Sequence, residues 1–286
     1  MASRRSKLSR WRIDQTLINT QQDIQKTVVA MLAAELSCSP ADLTDGQVHI
    51  TVRDPNAHEN SAHRLFPPHP GKIGIASMGT GGIVCVDEPH REWAEDVFGP
   101  ADGATRDSIF MPAQTGRMSE LIKPEGLTLF GAFPRFAVSD NSLIHVEPPD
   151  GYTVRIVDRD EADRIEQRDK WGYSIALDPA ETARPTVIAA IAERGGQVVG
   201  VCGVSADSPF MWQLGIDVAP NHQGHGIAAA MTSAAAEATL EVGKLPYYGT
   251  STSNIPSVRT ALAAGFKPTW VEVLSRPLSW GRPDQT

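Results

Sequence analysis

Cysteine is scarce in this sequence, and its positions exclude two of its common roles. The 286 residues include three cysteines, Cys38, Cys85 and Cys202, which lie far apart and in no CxxC pair. A disulfide framework or a thiolate zinc site therefore has no support, and a reducing cytoplasm is the expected compartment. No apolar run reaches the ~18 to 20 residues of a membrane span. No apolar signal-peptide core follows the basic segment 4–12, so we expect no membrane partner.

An excess of positive charge is also missing. Lys and Arg number 26 against 34 Asp and Glu, which gives a net charge of −8. A general nucleic-acid binder would need a basic face, so we expect no nucleic-acid partner. Hydrophobic residues make up 41% and charged residues 21% of the chain, which is ordinary for a globular protein with a real core. We expect a small-molecule substrate and a monomer or homodimer.

The length fits two modest domains, and one segment has the composition of a linker between them. This segment is Glu147-Pro148-Pro149-Asp150-Gly151. Its two prolines stiffen the chain, and its polar residues interrupt any periodic pattern. We therefore predict an N-terminal domain over residues 1–146 and a second domain over residues 147–286.

Apolar periodicity predicts helices and strands in both parts of the chain. In the first part we predict helices over 15–37, 89–98 and 118–122, strands over 48–52, 73–78, 83–86 and 129–138, and a loop over 54–71. In the second part we predict strands over 152–157, 187–192, 198–204, 212–218, 247–250 and 269–274, and helices over 159–170, 227–242 and 255–264. Glycines at 79–82 and at 195–196 each predict a hairpin. The order predicts an α/β (α+β) fold with a mixed sheet flanked by helices.

The junction between the strand ending at Val218 and the helix beginning at Ile227 carries the clearest chemical signal. Gly224, Gly226 and Ala228 are small or lack a side chain, so a ligand can approach the backbone closely. The first N–H groups of the following helix have no partner within the helix, and its dipole favours an anion. This pattern is typical of a phosphate or pyrophosphate site, although a glycine-rich turn without a ligand is the alternative.

Two segments together resemble the GNAT (GCN5-related) N-acetyltransferase superfamily. Its loop has Arg or Gln, then Gly three residues later, then Gly or Ala two residues after that, which here are Gln223, Gly226 and Ala228. A later motif has Asn, a helix and Gly-Phe, which here are Asn254 and Gly265-Phe266. A P-loop would need Lys-Ser or Lys-Thr after its last glycine, and none follows. A Rossmann fingerprint would need an acid at a later strand end.

The resemblance implies acetyl-CoA as acyl donor and gives roles to particular residues. It implies that the backbone of Ile216 and Val218 holds the pantetheine arm between two splayed parallel strands, and that Asn254 contacts the same arm. The pyrophosphate would be held by the loop residues Gln223, Gly224, His225, Gly226, Ile227 and Ala228. The N-terminal domain would build one wall of the substrate pocket, and a degenerate copy of the same fold is one candidate for its structure.

The sequence departs from the family at the position of its usual acid. The superfamily often has a tyrosine seven positions after the motif asparagine, and here that residue is Ala261. Tyr247 and Tyr248 are substitute candidates, and alternation along a strand lets only one of them face the cleft. Release of the thiolate without a dedicated acid is also chemically tolerable. For the base, Asp217 and Glu193 are the candidates.

Other candidates for proton transfer or binding are weaker. His222 and His225 titrate near neutrality but lie in the loop, where phosphate pairing or solvent exposure suits them better, and Glu272 on the last strand is a lesser base candidate. His58, His63 and His69 have no spacing or companion ligands suited to a metal, so we expect no metal site.

The predicted function is acetyl transfer to a primary amine of a small molecule. A non-catalytic acyl-CoA sensor is the alternative, because Ala261 replaces the usual tyrosine.

Overall fold

The computed structural model describes residues 17–65, 72–99, 103–165, 168–174 and 186–279. The chain forms two compact units that are each discontinuous along the sequence. Within the described ranges, the first unit contains residues up to Thr27, Arg64 and Leu65, and residues between Phe136 and Pro268. The second contains Val28–His63, residues up to Arg135 and residues from Thr269 onward. The predicted domains over residues 1–146 and 147–286 remain a prediction about which parts of the chain fold independently. The basic segment 4–12 and His69 lie outside the described residues.

Helices and strands are interspersed along the chain. In chain order they are α1 (Gln21–Leu36), β1 (Val48–Val52), β2 (Ile73–Ser77), β3 (Gly82–Val86), α2 (Arg91–Phe98), α3 (Pro112–Ile122), β4 (Leu127–Ala137), β5 (Thr153–Asp158), α4 (Arg159–Ala162), β6 (Thr186–Arg194), β7 (Gln197–Ser205), β8 (Met211–Val218), α5 (Ile227–Glu241), β9 (Leu245–Gly249), α6 (Ile255–Ala263) and β10 (Lys267–Pro277). In the described parts of the chain, no helix is long and apolar enough to cross a membrane.

The first unit contains the strand order β9-β8-β7-β6-β5. Strands β5 to β8 pair antiparallel, whereas β8 and β9 pair parallel. Helix α5 is rich in alanine, and these small side chains bring it close to the strands, where Met231, Ala235 and Ala236 are buried in the core with Val204 and Leu214. The predicted hairpin at Gly195-Gly196 is confirmed: both glycines have positive φ, and β6 and β7 pair on either side of them.

The second unit contains the order β1-β3-β2-β10-β4. Strands β1 and β3 are parallel, and β2 pairs antiparallel with both β3 and β10, so the predicted hairpin at residues 79–82 is confirmed. Side chains of α2 and α3 pack against β2 and β3 in one buried cluster. In both units a mixed sheet is flanked by helices, and the predicted α/β (α+β) fold class is therefore confirmed.

Three predicted helix boundaries were wrong. The helix predicted over 15–37 begins at Gln21 in the described chain, and the one predicted over 118–122 begins at Pro112, where proline suits the first helical position. The charged helix predicted over 159–170 ends at Ala162. It ends because Ala162, Ile165 and Trp171 turn inward into one buried cluster, and the Ile165 N–H bonds to the Ala162 carbonyl at 3.2 Å instead of continuing the helix.

Candidate active site

Strands β8 and β9 of the first unit separate part of the way along their length. Their parallel register runs from Met211–Leu245 to Leu214–Tyr248 and stops there. Strand β8 continues to Val218 and remains paired with β7 on its other side as far as Val218–Gly200. Residues 215–218 therefore offer one edge of β8 that β9 does not use.

The backbone groups at this edge can be assigned from the alternation along the strand. The Ala219 N–H donates to the Val199 carbonyl at 2.9 Å, so it faces β7. Because successive residues of a strand point their backbone groups to opposite sides, those of Val218 and Ile216 face the edge that β9 leaves. The Val218 carbonyl accepts a hydrogen bond from the Gln223 side-chain amide at 3.0 Å. The backbone groups of Ile216 and Val218, the two residues that the family resemblance assigned to the pantetheine arm, thus point to the open edge of β8.

The loop after β8 leads directly into the first turn of α5. Gly224 and Gly226 have φ of +78° and +84°, a region that residues with a Cβ rarely adopt. Apart from the adjoining residues in the chain, no heavy atom of the described structure lies within 4 Å of the position a Cβ would take at either glycine. Gly226 is the N-cap of α5, and no side chain caps this end. The N–H groups of the first turn are therefore open to a ligand.

The other loop residues divide into backbone and side-chain candidates. Gln223 and His225 are exposed, whereas the side chain of Ile227 is buried in the core and Ala228 is half-buried. Ile227 and Ala228 can therefore reach a ligand mainly through their N–H groups. The open cradle, the positive helix end and the absence of a carboxylate among residues 218–228 suit a diphosphate group.

Asp217 holds a second segment against the separating strands. Its Oδ2 accepts hydrogen bonds from the backbone N–H groups of Tyr173 and Ser174, at 3.0 and 2.9 Å, and from the Ser174 hydroxyl at 2.9 Å. Burial raises the pKa of Asp217, although the bonds from Ser174 and Tyr173 act in the opposite direction. The side chain of Tyr173 is 86% exposed beside this contact. Asp217 thus fixes the backbone of 173–174 above β8.

Tyr247 and Tyr248 point to opposite faces of β9, as the alternation predicts. The Tyr247 side chain is buried, and its hydroxyl bonds to Asp207 and lies 3.2 Å from Gln213 Oε1. The Arg64 guanidinium lies 5.9 Å from the centroid of the Tyr247 ring. Asp207 also accepts from the Ser205 hydroxyl at 3.1 Å. Tyr247 is therefore part of a buried polar network beside the point where β8 and β9 separate.

Tyr248 belongs to a different network, which includes the predicted Asn254. Its hydroxyl lies 2.6 Å from Ser257 Oγ, and burial raises its pKa to about 12. The side-chain oxygen of Asn254 accepts from the Ser257 N–H at 3.2 Å and caps α6. The Asn254 oxygen is thus used within the protein, and its NH₂ group is the part that can reach a ligand.

Glu193 and Glu272 each pair with an arginine. Glu193 Oε1 bonds to Arg155 at 3.0 and 3.1 Å, and β7 separates its strand from β8, roughly 10 Å away at the usual strand spacing. Glu272 is buried in the second unit, where it pairs with Arg135 at 2.8 Å and accepts from Trp270 Nε1 at 2.7 Å. Ala261, at the position of the family tyrosine, is fully buried in the core of the first unit.

Several residues beside the site gave little or no sequence signal. Asp207, Gln213 and Ser257 are isolated polar residues in sequence, and only the fold brings them to the two tyrosine hydroxyls. Ser257 had the best available signal, because a serine three residues after a helix-capping asparagine lies in the first turn.

In the second unit, Asp42, Asp45 and His49 bring possible metal-ligating atoms within 4.8 Å of one another near the surface.

Comparison with known proteins gives the class of the C-terminal part. Residues 152–266 match the model of the acetyltransferase (GNAT) family. The match includes β5 to α6 and therefore the separated strands, the glycine loop and Asn254. No curated protein sequence matches the chain.

Solved structures give more distant likenesses. A GCN5-related N-acetyltransferase from Sphaerobacter thermophilus has 14% identity and a TM-score of 0.47, over 88% of this chain and 91% of that one. One from Kribbella flavida has 19% identity and a TM-score of 0.42 over 55% of this chain, which spans 62% of the Kribbella chain. A Salmonella typhimurium protein solved with its cofactor acetyl-CoA has 17% identity and a TM-score of 0.34, over 48% of this chain and 100% of that one. The family assignment rests on the sequence match over 152–266.

Proposed function

We propose that this protein transfers the acetyl group of acetyl-CoA to a primary amine of a small molecule by direct attack. One observation carries the proposal: the unused edge of β8, at residues 215–218, runs directly into an open glycine loop and an uncapped helix end. An extended amide-containing arm fits the first feature and a diphosphate fits the second. The GNAT family match covers both features.

The binding roles follow from the orientation of each group. Ile216 and Val218 would bond the amides of the pantetheine arm through their backbone, as a neighbouring strand would. The N–H groups of the loop and of the first turn of α5 would bind the pyrophosphate, because they are donors at the positive end of a helix dipole. Asn254 would donate its NH₂ group to the arm. Acetyl-CoA, when bound, supplies a thioester carbonyl with a thiolate leaving group.

Two proton transfers accompany the reaction. The amine must lose a proton before its nitrogen bonds to the carbonyl carbon, and the sulfur takes up a proton as the carbon–sulfur bond breaks. Tyr248 is a candidate acid, because its raised pKa keeps the hydroxyl protonated near neutral pH. Tyr247 is the other candidate, through its bond to Asp207. Asp217 and Glu193 remain the candidate bases, acting through water, and Asp217 is the one on the separated strand.

The alternative is a non-catalytic acyl-CoA sensor. The burial of Ala261 favours it, because no proton donor occupies the usual family position. Both proposals place the protein in the cytoplasm, where its free cysteines would stay reduced. Neither proposal includes a nucleic-acid or membrane partner.

One assay separates the two. The protein is incubated with acetyl-CoA and a panel of primary amines, and thiol release is followed with a chromogenic thiol reagent. Turnover with any amine above the rate without amine supports the transferase. Binding of acetyl-CoA by calorimetry, without turnover across the panel, favours the sensor, and the absence of binding contradicts both.

A further inference from the structure

Four side chains of the first unit form a polar cluster beside the glycine loop. We call Tyr152, Arg194, His222 and His225 the phosphate-side cluster. The Arg194 guanidinium donates from Nη1 to the Tyr152 oxygen at 3.0 Å and lies 4.9 Å from the ring centroid. The Tyr152 oxygen is 3.1 Å from His222 Nδ1. The ring centroid of His225 is 6.3 Å from that of Tyr152.

The direction of these hydrogen bonds leaves donors of Arg194 and His222 available, whereas His225 donates from Nδ1 to the His222 carbonyl at 3.3 Å. Arginine cannot accept, so the Tyr152 oxygen accepts from Arg194 and its own proton is available to His222 Nδ1. This bond favours the tautomer of His222 with its proton on Nε2. Within the described residues the remaining guanidinium N–H groups and the His222 Nε2–H have no acceptor, and they can donate to one outside the cluster.

Arg194 also differs from its neighbour in charge pairing. Arg155, on the adjacent strand β5, bonds to both Glu161 and Glu193. Within the part of the chain that the structure describes, no carboxylate pairs with the exposed Arg194, which is held by a neutral hydroxyl and an aromatic ring. A guanidinium held in one orientation without a counter-ion is suited to bind an anion, and its planar fork matches a phosphate.

We propose that the phosphate-side cluster binds the 3′-phosphate on the ribose of coenzyme A. The proposal rests on the proposed function, which places the pyrophosphate at the loop itself. His222 precedes Gln223, and His225 lies between the two open glycines, so the cluster directly adjoins that position. The 3′-phosphate is separated from the pyrophosphate by one ribose and is a monoester, which carries close to two negative charges at neutral pH. Arg194 supplies the positive charge. Tyr152 holds the guanidinium in place, and His222, which is bonded to Tyr152, adds a further donor.

The experiment compares two ligands that differ only in this group, coenzyme A and 3′-dephospho-coenzyme A. Dissociation constants are measured by isothermal titration calorimetry at pH 7.5 for the full chain. The native protein should bind coenzyme A about tenfold more tightly than the dephospho form, as expected for one charge-assisted phosphate contact. Arg194→Ala should reduce this ratio to near one by weakening coenzyme A alone, and Tyr152→Phe should reduce it partly.

The controls distinguish the possible failures. Arg117→Ala removes an exposed arginine of α3 in the second unit, where its bonding partner is Gln114, and should keep the native ratio. Thermal unfolding shows whether each variant is folded. Because the Arg194 side chain is exposed, we expect the Arg194→Ala variant to fold as the native protein does. Equal binding of the two ligands by the native protein, or an unchanged ratio in folded Arg194→Ala, overturns this inference and leaves the proposed function standing. Failure of the native protein to bind either ligand overturns the proposed function itself.

Discussion

Gly203 and Gly215 are partners across β7 and β8, and the backbone of residues 173–174 lies directly on both of them. A Cβ at Gly203 would collide with the Ser174 carbonyl, and one at Gly215 would collide with that of Tyr173. The paired glycines therefore let a chain segment lie flat against the strand that we assign to the acyl donor.

Gly215→Ala should displace this segment or destabilise the fold by about 1–3 kcal/mol, as overpacking usually does. Chemical denaturation measures the change in the free energy of unfolding. Gly116→Ala is the matched control, because this helical glycine has no heavy atom near its Cβ position and the substitution should be neutral or stabilising. Equal effects of the two substitutions would contradict the close approach at Gly215.

Gly226→Glu should abolish binding of acetyl-CoA, because it fills the cradle and adds a negative charge beside the pyrophosphate. The positive φ of Gly226 adds backbone strain whatever the ligand does. Gly126→Glu controls for this strain, since Gly126 in the second unit has a φ of +75° and equally open surroundings. Calorimetry should show native affinity for the control. Native affinity in Gly226→Glu would remove the loop from the site.

Substitutions at Asn254 should separate its capping role from its ligand role. Asn254→Ala should cost about 1 kcal/mol through loss of the α6 cap and should also weaken use of acetyl-CoA severalfold. Asn254→Asp keeps an acceptor for the cap and removes the NH₂ donor. It should therefore retain stability while the Michaelis constant for acetyl-CoA rises. A normal Michaelis constant in Asn254→Asp would exclude the side chain from the site.

Replacing Tyr247 and Tyr248 by Phe, one at a time, tests the acid. If Tyr248 is the acid, Tyr248→Phe should lower kcat by about 100-fold or more. The native kcat should then fall only at high pH, because the raised pKa of about 12 keeps the hydroxyl protonated below that. Tyr247→Phe should also lower the free energy of unfolding by about 1–3 kcal/mol, since it removes a bond to the buried Asp207. Unchanged turnover in both variants would exclude a tyrosine acid.

Asp217 should make the stability depend on pH in a direction opposite to most carboxylates. Its pKa in the folded state is raised above the ordinary 3.8, so the folded state holds the proton more tightly than the unfolded state. Stability from this group is therefore present below about pH 3.8 and is lost as pH rises through the higher folded pKa. Asp217→Asn keeps an oxygen acceptor for 173–174 and should remove this contribution. If the Asp217→Asn variant and the native protein unfold with identical pH profiles, the raised pKa is contradicted.

The sequence predicted the local features of the site well. The glycine loop, the hairpin at 195–196 and the helix α6 each depend on residues close together in the chain, so periodicity and turn chemistry suffice to find them. Contacts between residues far apart in the sequence were not predicted. Asp217 meets Tyr173 across 44 positions, and Ser275 bonds to the Ile73 N–H across 202. No local pattern encodes such pairings. The predicted helix 159–170 failed for the same reason, because burial of Ile165 and Trp171 outweighs helical composition.

The bond between Gln223 and the Val218 carbonyl has a consequence for affinity. A pantetheine amide that bonded to this carbonyl would take the place of a donor that the protein already supplies. The exchange would gain little free energy at Val218, but it would release the Gln223 amide towards the neighbouring phosphates. Binding of the pantetheine arm at β8 and binding of the diphosphate at the loop would then be coupled through the Gln223 side chain. Gln223→Ala should accordingly weaken coenzyme A more than pantetheine, which has no diphosphate, and equal losses would contradict this coupling.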